Sequence, residues 1–215
     1  MKEAPLRLAM DIPEGSVDGA PVAVLLHGRG SNGRDLLGLR AGLPENTILV
    51  TPQALHPAAP WGYGPGWAWY RYLGEDRVDT STLEPSLEAL DDVLRTLPAR
   101  LPVKPGPVVL GGFSQGGTTS LAFALRHPGR VAGVMNLSGF LVDGALEAAG
   151  EGAASLRVFW GHGTADPAIP HEMAVRGRAR LVGRGIEVTS RDYPMGHRIV
   201  AEELADVSRW MASLP

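Results

Sequence analysis

One short stretch restricts the fold of this chain more than any other: Gly112-Phe113-Ser114-Gln115-Gly116-Gly117. An apolar run, Pro107-Val108-Val109-Leu110, leads into it, and a helix-forming run from Thr118 to Arg126 leaves it, halting at His127-Pro128-Gly129. A buried strand therefore enters a helix through a tight turn with a serine at its tip. This is the context that gives a Gly-x-Ser-x-Gly nucleophile elbow its meaning. Side chains at Gly112 or Gly116 are expected to collide with the neighbouring strand and helix. With 28 Gly among 215 residues, the bare pattern arises by chance about 0.2 times. Its weight comes from the flanking elements and from the partners found elsewhere in the chain.

The rest of the chain alternates in the same way. Leu6 to Ile12 reads as an edge strand, Pro21 to Leu26 and Thr47 to Val50 as buried strands, and Val131 to Leu137, Leu156 to Trp160 and Ile186 to Tyr193 as later ones. Ser31 or Asn32 is placed to cap a helix through Leu36, Leu37 and Leu39. Leu83, Leu87, Leu90, Val93, Leu94 and Leu97 form one stripe of a helix over Thr80 to Leu97. Helices are also expected over His171 to Val182 and Ile199 to Leu214, with a small-residue connection and a short helix between Asp143 and Gly152. The fold class is α/β: a single domain over residues 1–215 with a mostly parallel central sheet of about seven strands, helices on both faces and no large lid domain. In such sheets function gathers at the carboxyl ends of strands. The loops after Leu26, Leu110, Trp160 and Tyr193 should therefore meet at one edge.

Bulk properties remove several function classes. The net charge is −3, and no Lys/Arg block marks a nucleic-acid or membrane surface. The chain has no cysteine, which excludes disulfides and thiolate metal sites. Met1 to Pro5 lacks an apolar signal core, and no apolar run approaches a membrane span, so a cytoplasmic protein without stable membrane insertion is expected. A homodimer is left open.

A serine hydroxyl is a poor nucleophile and needs a base within hydrogen-bond reach, and the base needs an acid to set its tautomer. Four histidines follow Ser114. His127 lies at the far end of the elbow helix, His162 precedes the acid candidate, and His171 belongs to the next helix. His197, in the loop Pro194-Met195-Gly196-His197 after the last strand, fits the base. Asp166, in Gly161-His162-Gly163-Thr164-Ala165-Asp166-Pro167, fits the acid. Asp143 is the runner-up, and an Asp-Pro turn starter is the structural alternative for Asp166. The oxyanion needs two N–H donors. Gln115, next after the serine, supplies one. Arg29, in the glycine-rich loop after Leu26, supplies the other through its backbone, with its side chain either solvated or reading an acidic group. His27 reads as a structural clasp of that loop. Gln53 to Tyr72 carries three of the five tryptophans, and Trp67, Trp69 and Tyr70 are the candidate substrate-binding wall.

Together, Leu26-His27-Gly28-Arg29-Gly30, the elbow, Gly161 to Pro167 and Met195-Gly196-His197 resemble the phospholipase/carboxylesterase family of α/β-hydrolases, which includes the acyl-protein thioesterases. The similarity runs from about residue 20 onward, in the order of the family's motifs. It implies a serine esterase with the triad Ser114, Asp166, His197, oxyanion donors at Arg29 and Gln115, a small-molecule ester as partner, and neither metal nor organic cofactor. Arg29 stands where many members carry an apolar residue. The aromatic loop points to short, medium or aromatic acyl groups rather than long lipids. An acyl-protein thioesterase or a lysophospholipase is the alternative.

Two further readings compete. Gly28-Arg29-Gly30-Ser31-Asn32-Gly33 matches the dinucleotide fingerprint Gly-x-Gly-x-x-Gly. However, the next strand ends Thr51-Pro52-Gln53 without the carboxylate that a nicotinamide oxidoreductase requires. A non-catalytic binding module would typically have lost a triad member, and none is missing.

Overall fold

The computed structural model describes residues 6–215. Seven strands form one sheet: β1 (Leu8–Asp11), β2 (Val22–Leu26), β3 (Ile48–Pro52), β4 (Val108–Phe113), β5 (Gly133–Leu137), β6 (Arg157–Gly163) and β7 (Glu187–Tyr193). Their spatial order is β1-β3-β2-β4-β5-β6-β7, and every pairing is parallel except β1 with β3. Four helices, α1 (Thr80–Thr96), α2 (Gln115–Arg126), α3 (His171–Val182) and α4 (Ala201–Ala212), supply the layers. This is the α/β architecture expected from the alternation of strands and helices, with the elbow strand β4 in the middle of the sheet.

The central strands are apolar without interruption because both of their faces are covered. Val22, Val24 and Leu26 point into one core with Leu83, Leu87, Leu90, Leu121, Phe123 and Leu181 from α1, α2 and α3. Ala23 and Leu25, one residue out of phase, point into the other with Val207, Trp210 and Met211 of α4. Each such side chain fully removed from water contributes about 1.5–3 kcal/mol. The outer strand β7 is different: Arg191 and Asp192 leave it polar, as suits an unpaired edge.

Register brings the site together. Leu26 pairs with Gly112, Phe113 with Leu137, and Gly163 with Tyr193. The carboxyl ends of the strands are thus level, and the loops that follow them share one rim.

Three expectations change. The element after the Gly28–Gly33 loop is a 3-10 helix over Asp35–Gly42 without a side-chain cap. Asn32 instead closes a turn by accepting the Arg34 N–H at 2.9 Å, and Ser31 pairs with Trp67. Only turns form between Asp143 and Gly152; a short 3-10 helix follows, over Ala153–Ser155. The Gln53–Tyr72 segment is also not structureless. His56–Pro57 pairs with Trp67–Ala68, and a 3-10 turn spans Ala59–Trp61. Two-residue strands carry no periodicity that a sequence reading could detect.

Candidate active site

Strain at the elbow begins with its backbone. Ser114 has φ 55° and ψ −118°, in a region that L residues avoid. The turn is held by the Ser114 N–H, which donates to Leu137 O at 2.8 Å, and by α2, which begins at once with Gln115. A Cβ at Gly112 would strike the Leu26 carbonyl, and one at Gly116 would strike the carbonyls of Leu26 and His27. Both glycines are therefore required by close backbone approach, as expected from the sequence.

His197 reaches this serine from the loop after β7. Its Nε2 lies 2.9 Å from Ser114 Oγ, and its Nδ1 lies 2.7 Å from Asp166 Oδ2. An ionised carboxylate only accepts, so Nδ1–H donates to Asp166 and Nε2 is left to accept the serine hydroxyl proton. The ring packs on Phe113 at 4.7 Å between centroids. The acid and base loops are stitched together: the Thr164 N–H donates to Tyr193 O at 2.8 Å and the Ala165 N–H to Met195 O at 3.1 Å. Gly163 permits this approach, since a Cβ there would meet the carbonyls of Met195 and Gly196.

Both readings of Asp166 hold at once. Its Oδ1 accepts the N–H groups of Ala168 and Ile169 at 2.8 and 2.9 Å, which is the turn, while Oδ2 faces His197. Burial works to raise its pKa, but the Ile169 N–H, His197 and the Ala168 N–H outweigh it and hold the carboxyl below its usual range. Asp143, the runner-up, is exposed, and its N–H donates to Asp76 O.

Arg29 and Gln115 both line the cleft beside Ser114. Among the described residues, neither backbone N–H donates to a protein acceptor. The loop bearing Arg29 is clasped by His27, which is buried. The Ala54 N–H donates to its Nε2 at 3.1 Å, so its Nδ1 carries the proton and donates to Gly28 O at 2.7 Å. Burial lowers the pKa of this ring and keeps it neutral. The glycines of the Gly-x-Gly-x-x-Gly run serve packing here. Gly30 passes against Tyr63 O and Gly33 against Gln53 and Thr51, and the element that follows is a 3-10 helix from Asp35 in place of the α-helix whose N-terminus holds a pyrophosphate.

The cleft encloses about 200 Å³ and is walled by Tyr70, Tyr72, Phe113, Phe140 and Ile169. Of the three expected wall residues only Tyr70 lines it, and this corrects the expectation for Trp67 and Trp69. Trp69 is fully buried behind the loop, where its indole N–H donates to His27 O at 2.9 Å. Trp67 is committed to backbone pairing with Ser31 and Pro57. Tyr72, at the end of the same aromatic segment, does join the wall, whereas Phe113, Phe140 and Ile169 were not anticipated. Phe113 is the residue before the nucleophile, while Phe140 and Ile169 follow the ends of β5 and β6. Position just past a strand terminus was the available signal. His162 is buried, with its Nε2 2.9 Å from Ile169 O, where it supports the acid loop rather than facing the cleft.

Comparison with known proteins agrees with this geometry. The family model described as Phospholipase/Carboxylesterase matches residues 9–214. The chain is 30% identical to acyl-protein thioesterase 1 of Cryptococcus neoformans, over 87% of this chain and 90% of that one. Among solved structures, esterase PE8 superposes with a TM-score of 0.82 at 27% identity, covering 99% of this chain and 100% of that one. Zea mays acyl-protein thioesterase 2 superposes with a TM-score of 0.77 at 27% identity, covering 96% and 98%. Among the described residues no helix is long and apolar enough to cross a membrane. A strained serine, a histidine and a carboxylate in one relay, on a chain matched almost end to end, lead to one assignment: this protein belongs to the phospholipase/carboxylesterase family of α/β-hydrolases and is a serine hydrolase with esterase chemistry.

Proposed function

We propose that this chain hydrolyses carboxylic esters of short, medium or aromatic acyl groups through an acyl-enzyme on Ser114. The reading rests on one observation, the unbroken relay from Ser114 Oγ through the His197 ring to Asp166, with links of 2.9 and 2.7 Å. Ser114 Oγ attacks the acyl carbon while His197 Nε2 takes the hydroxyl proton. Asp166 balances the imidazolium. The N–H groups of Arg29 and Gln115 receive the oxyanion, and each such donor is worth roughly 3 kcal/mol of barrier. His197 then returns the proton to the leaving alcohol. Water, deprotonated by the same ring, releases the acid and restores the serine.

Acyl length follows from the cleft. Its volume of about 200 Å³ lies below the ~300–1,000 Å³ of clefts that enclose drug-sized ligands. Aromatic walls favour flat or short apolar groups. An acyl-protein thioesterase is the second reading, favoured by the 30% identity to a protein of that name. A panel of 4-nitrophenyl esters from butanoate to hexadecanoate, with matched thioesters, tests both. Faster turnover of hexadecanoate than butanoate overturns the short-chain reading, and thioester preference selects the second. A fluorophosphonate should label Ser114 alone, and Ser114→Ala should lose several decades of kcat.

A further inference from the structure

The side chain of Arg29 does something its backbone role does not require. It lines the same cleft as Ser114, Gln115 and His197. Its Cζ lies 4.7 Å from the centroid of the Tyr63 ring, a cation–π perch. That perch is itself fixed. The Tyr63 hydroxyl accepts the Tyr72 N–H at 2.8 Å, and its ring meets Trp61 edge-on at 6.0 Å. The guanidinium is thus held against Tyr63, whose hydroxyl is tied to the wall residue Tyr72. Among the described residues none of its N–H groups donates to a protein acceptor, and no carboxylate forms an ion pair with it. Glu75 and Asp76, the acidic groups whose charge reaches Tyr72, are no exception. Its charge is felt along the cleft. Burial raises the pKa of the Tyr70 and Tyr72 hydroxyls, and the Arg29 charge opposes that rise at both.

Arginine stays charged at any working pH and presents a planar fork suited to a carboxylate. Arg29 is exposed at the mouth of the cleft, yet its guanidinium is perched on Tyr63 and its donors are free to meet a ligand there. On the esterase reading the backbone N–H of the same residue receives the oxyanion, which puts the fork one arginine side chain from the scissile carbonyl. We infer that Arg29 reads an anionic group on the substrate, which makes the enzyme selective for esters that carry a carboxylate or comparable anion a few carbons from the ester carbonyl. This rests on the esterase reading above. The anion could belong to the acyl group or to the alcohol; the chemistry recognised is the same.

The test is a ratio of kcat/KM values, anionic over neutral substrate, so that any general effect of substitution beside the oxyanion donor cancels. One arm places the charge on the acyl group, comparing 4-nitrophenyl hemiadipate with 4-nitrophenyl hexanoate. The other places it on the alcohol, comparing 3-carboxyphenyl butanoate with phenyl butanoate. In at least one arm the ratio should fall about fivefold in Arg29→Leu and further in Arg29→Glu, and the wild-type ratio should fall in high salt. Tyr63→Leu, which removes the perch and keeps the charge, should lower the ratio partway. The responding arm identifies which half of the substrate carries the anion. Ratios that do not move in either arm, while the parent enzyme turns over the neutral esters in a Ser114-dependent way, overturn this inference and leave the esterase reading standing. Absence of turnover on every ester removes both.

Discussion

The side-chain amide of Gln115 donates to the carbonyl of Tyr70 at 2.7 Å, across 45 residues of sequence. Its oxygen accepts the Trp69 N–H at 3.0 Å. The residue proposed as an oxyanion donor is therefore also the clamp that holds the segment carrying Trp69 and Tyr70. Trp69 in turn reaches the His27 carbonyl, next to the loop that carries Arg29. The elbow, the aromatic segment and the loop carrying Arg29 form one connected unit.

Gln115→Leu should show this coupling. It leaves the Tyr70 carbonyl and the Trp69 N–H buried without partners, at about 1–3 kcal/mol each. We expect a stability loss of about 2–4 kcal/mol in urea titration and a fall in kcat/KM on a butanoate ester, although the Gln115 backbone N–H remains. A variant as stable and active as the parent would separate the wall from the elbow.

Asp166→Asn should preserve the turn, because its side-chain oxygen can still accept from Ala168 and Ile169. It should nevertheless lose about 10⁴ in kcat, since an amide favours the wrong His197 tautomer. The Asp166 carboxyl is held below its usual range. Its contribution to stability is therefore complete above about pH 4, the unfolded value, and is lost as acid takes the pH down through the lowered folded value. Calorimetry of the two proteins should give a stability difference that shrinks as the pH is taken down below about 4.

Glu203 predicts the opposite trend. It is fully buried against Gly161, and burial, only partly offset by the Val200 backbone and Arg178, pushes its carboxyl up to about 8. Between an unfolded value near ~4.3 and this folded value, the native state binds more protons than the unfolded chain, so stability falls as pH rises. Glu203→Gln removes that loss. Its melting temperature should exceed that of the parent by more at pH 9 than at pH 5. A gap that does not vary with pH would show that Glu203 titrates normally.

Gly116 at the elbow should be intolerant and the unobstructed Gly38 permissive. Gly116→Ala forces a Cβ onto two backbone carbonyls that cannot move without opening β2, whereas Gly38→Ala meets nothing within 4 Å. We expect the first to cost about 1–3 kcal/mol or to prevent folding, and the second to be neutral or slightly stabilising. Denaturant midpoints of the two variants decide the comparison.

Much of this protein was legible before any coordinates. Strands were readable because central parallel strands are continuously apolar, and α1 because its leucines repeat at helical spacing. The triad candidates could be chosen by chain order and by position after a strand. Less legible was the Gln53–Tyr72 segment. Its exposed-looking tryptophans suggested a substrate wall, yet Trp69 turned inward because its indole N–H finds a buried acceptor at His27 and its ring packs against that imidazole, 5.5 Å between centroids.

The sequence by itself determined the local grammar: a strand-turn-helix with a serine that only glycine neighbours permit, and an acid and a base each stationed beyond a strand end. These follow from short-range sterics and from the periodicity of apolar residues, which act within a few residues of chain. Only the tertiary structure decided which aromatics face the cleft, that the Arg29 fork rests on Tyr63, and that the loops at 163–166 and 193–197 lock together. Those outcomes depend on register between strands and on hydrogen bonds between residues tens of positions apart, and no local pattern encodes which distant partner a given N–H or ring will find.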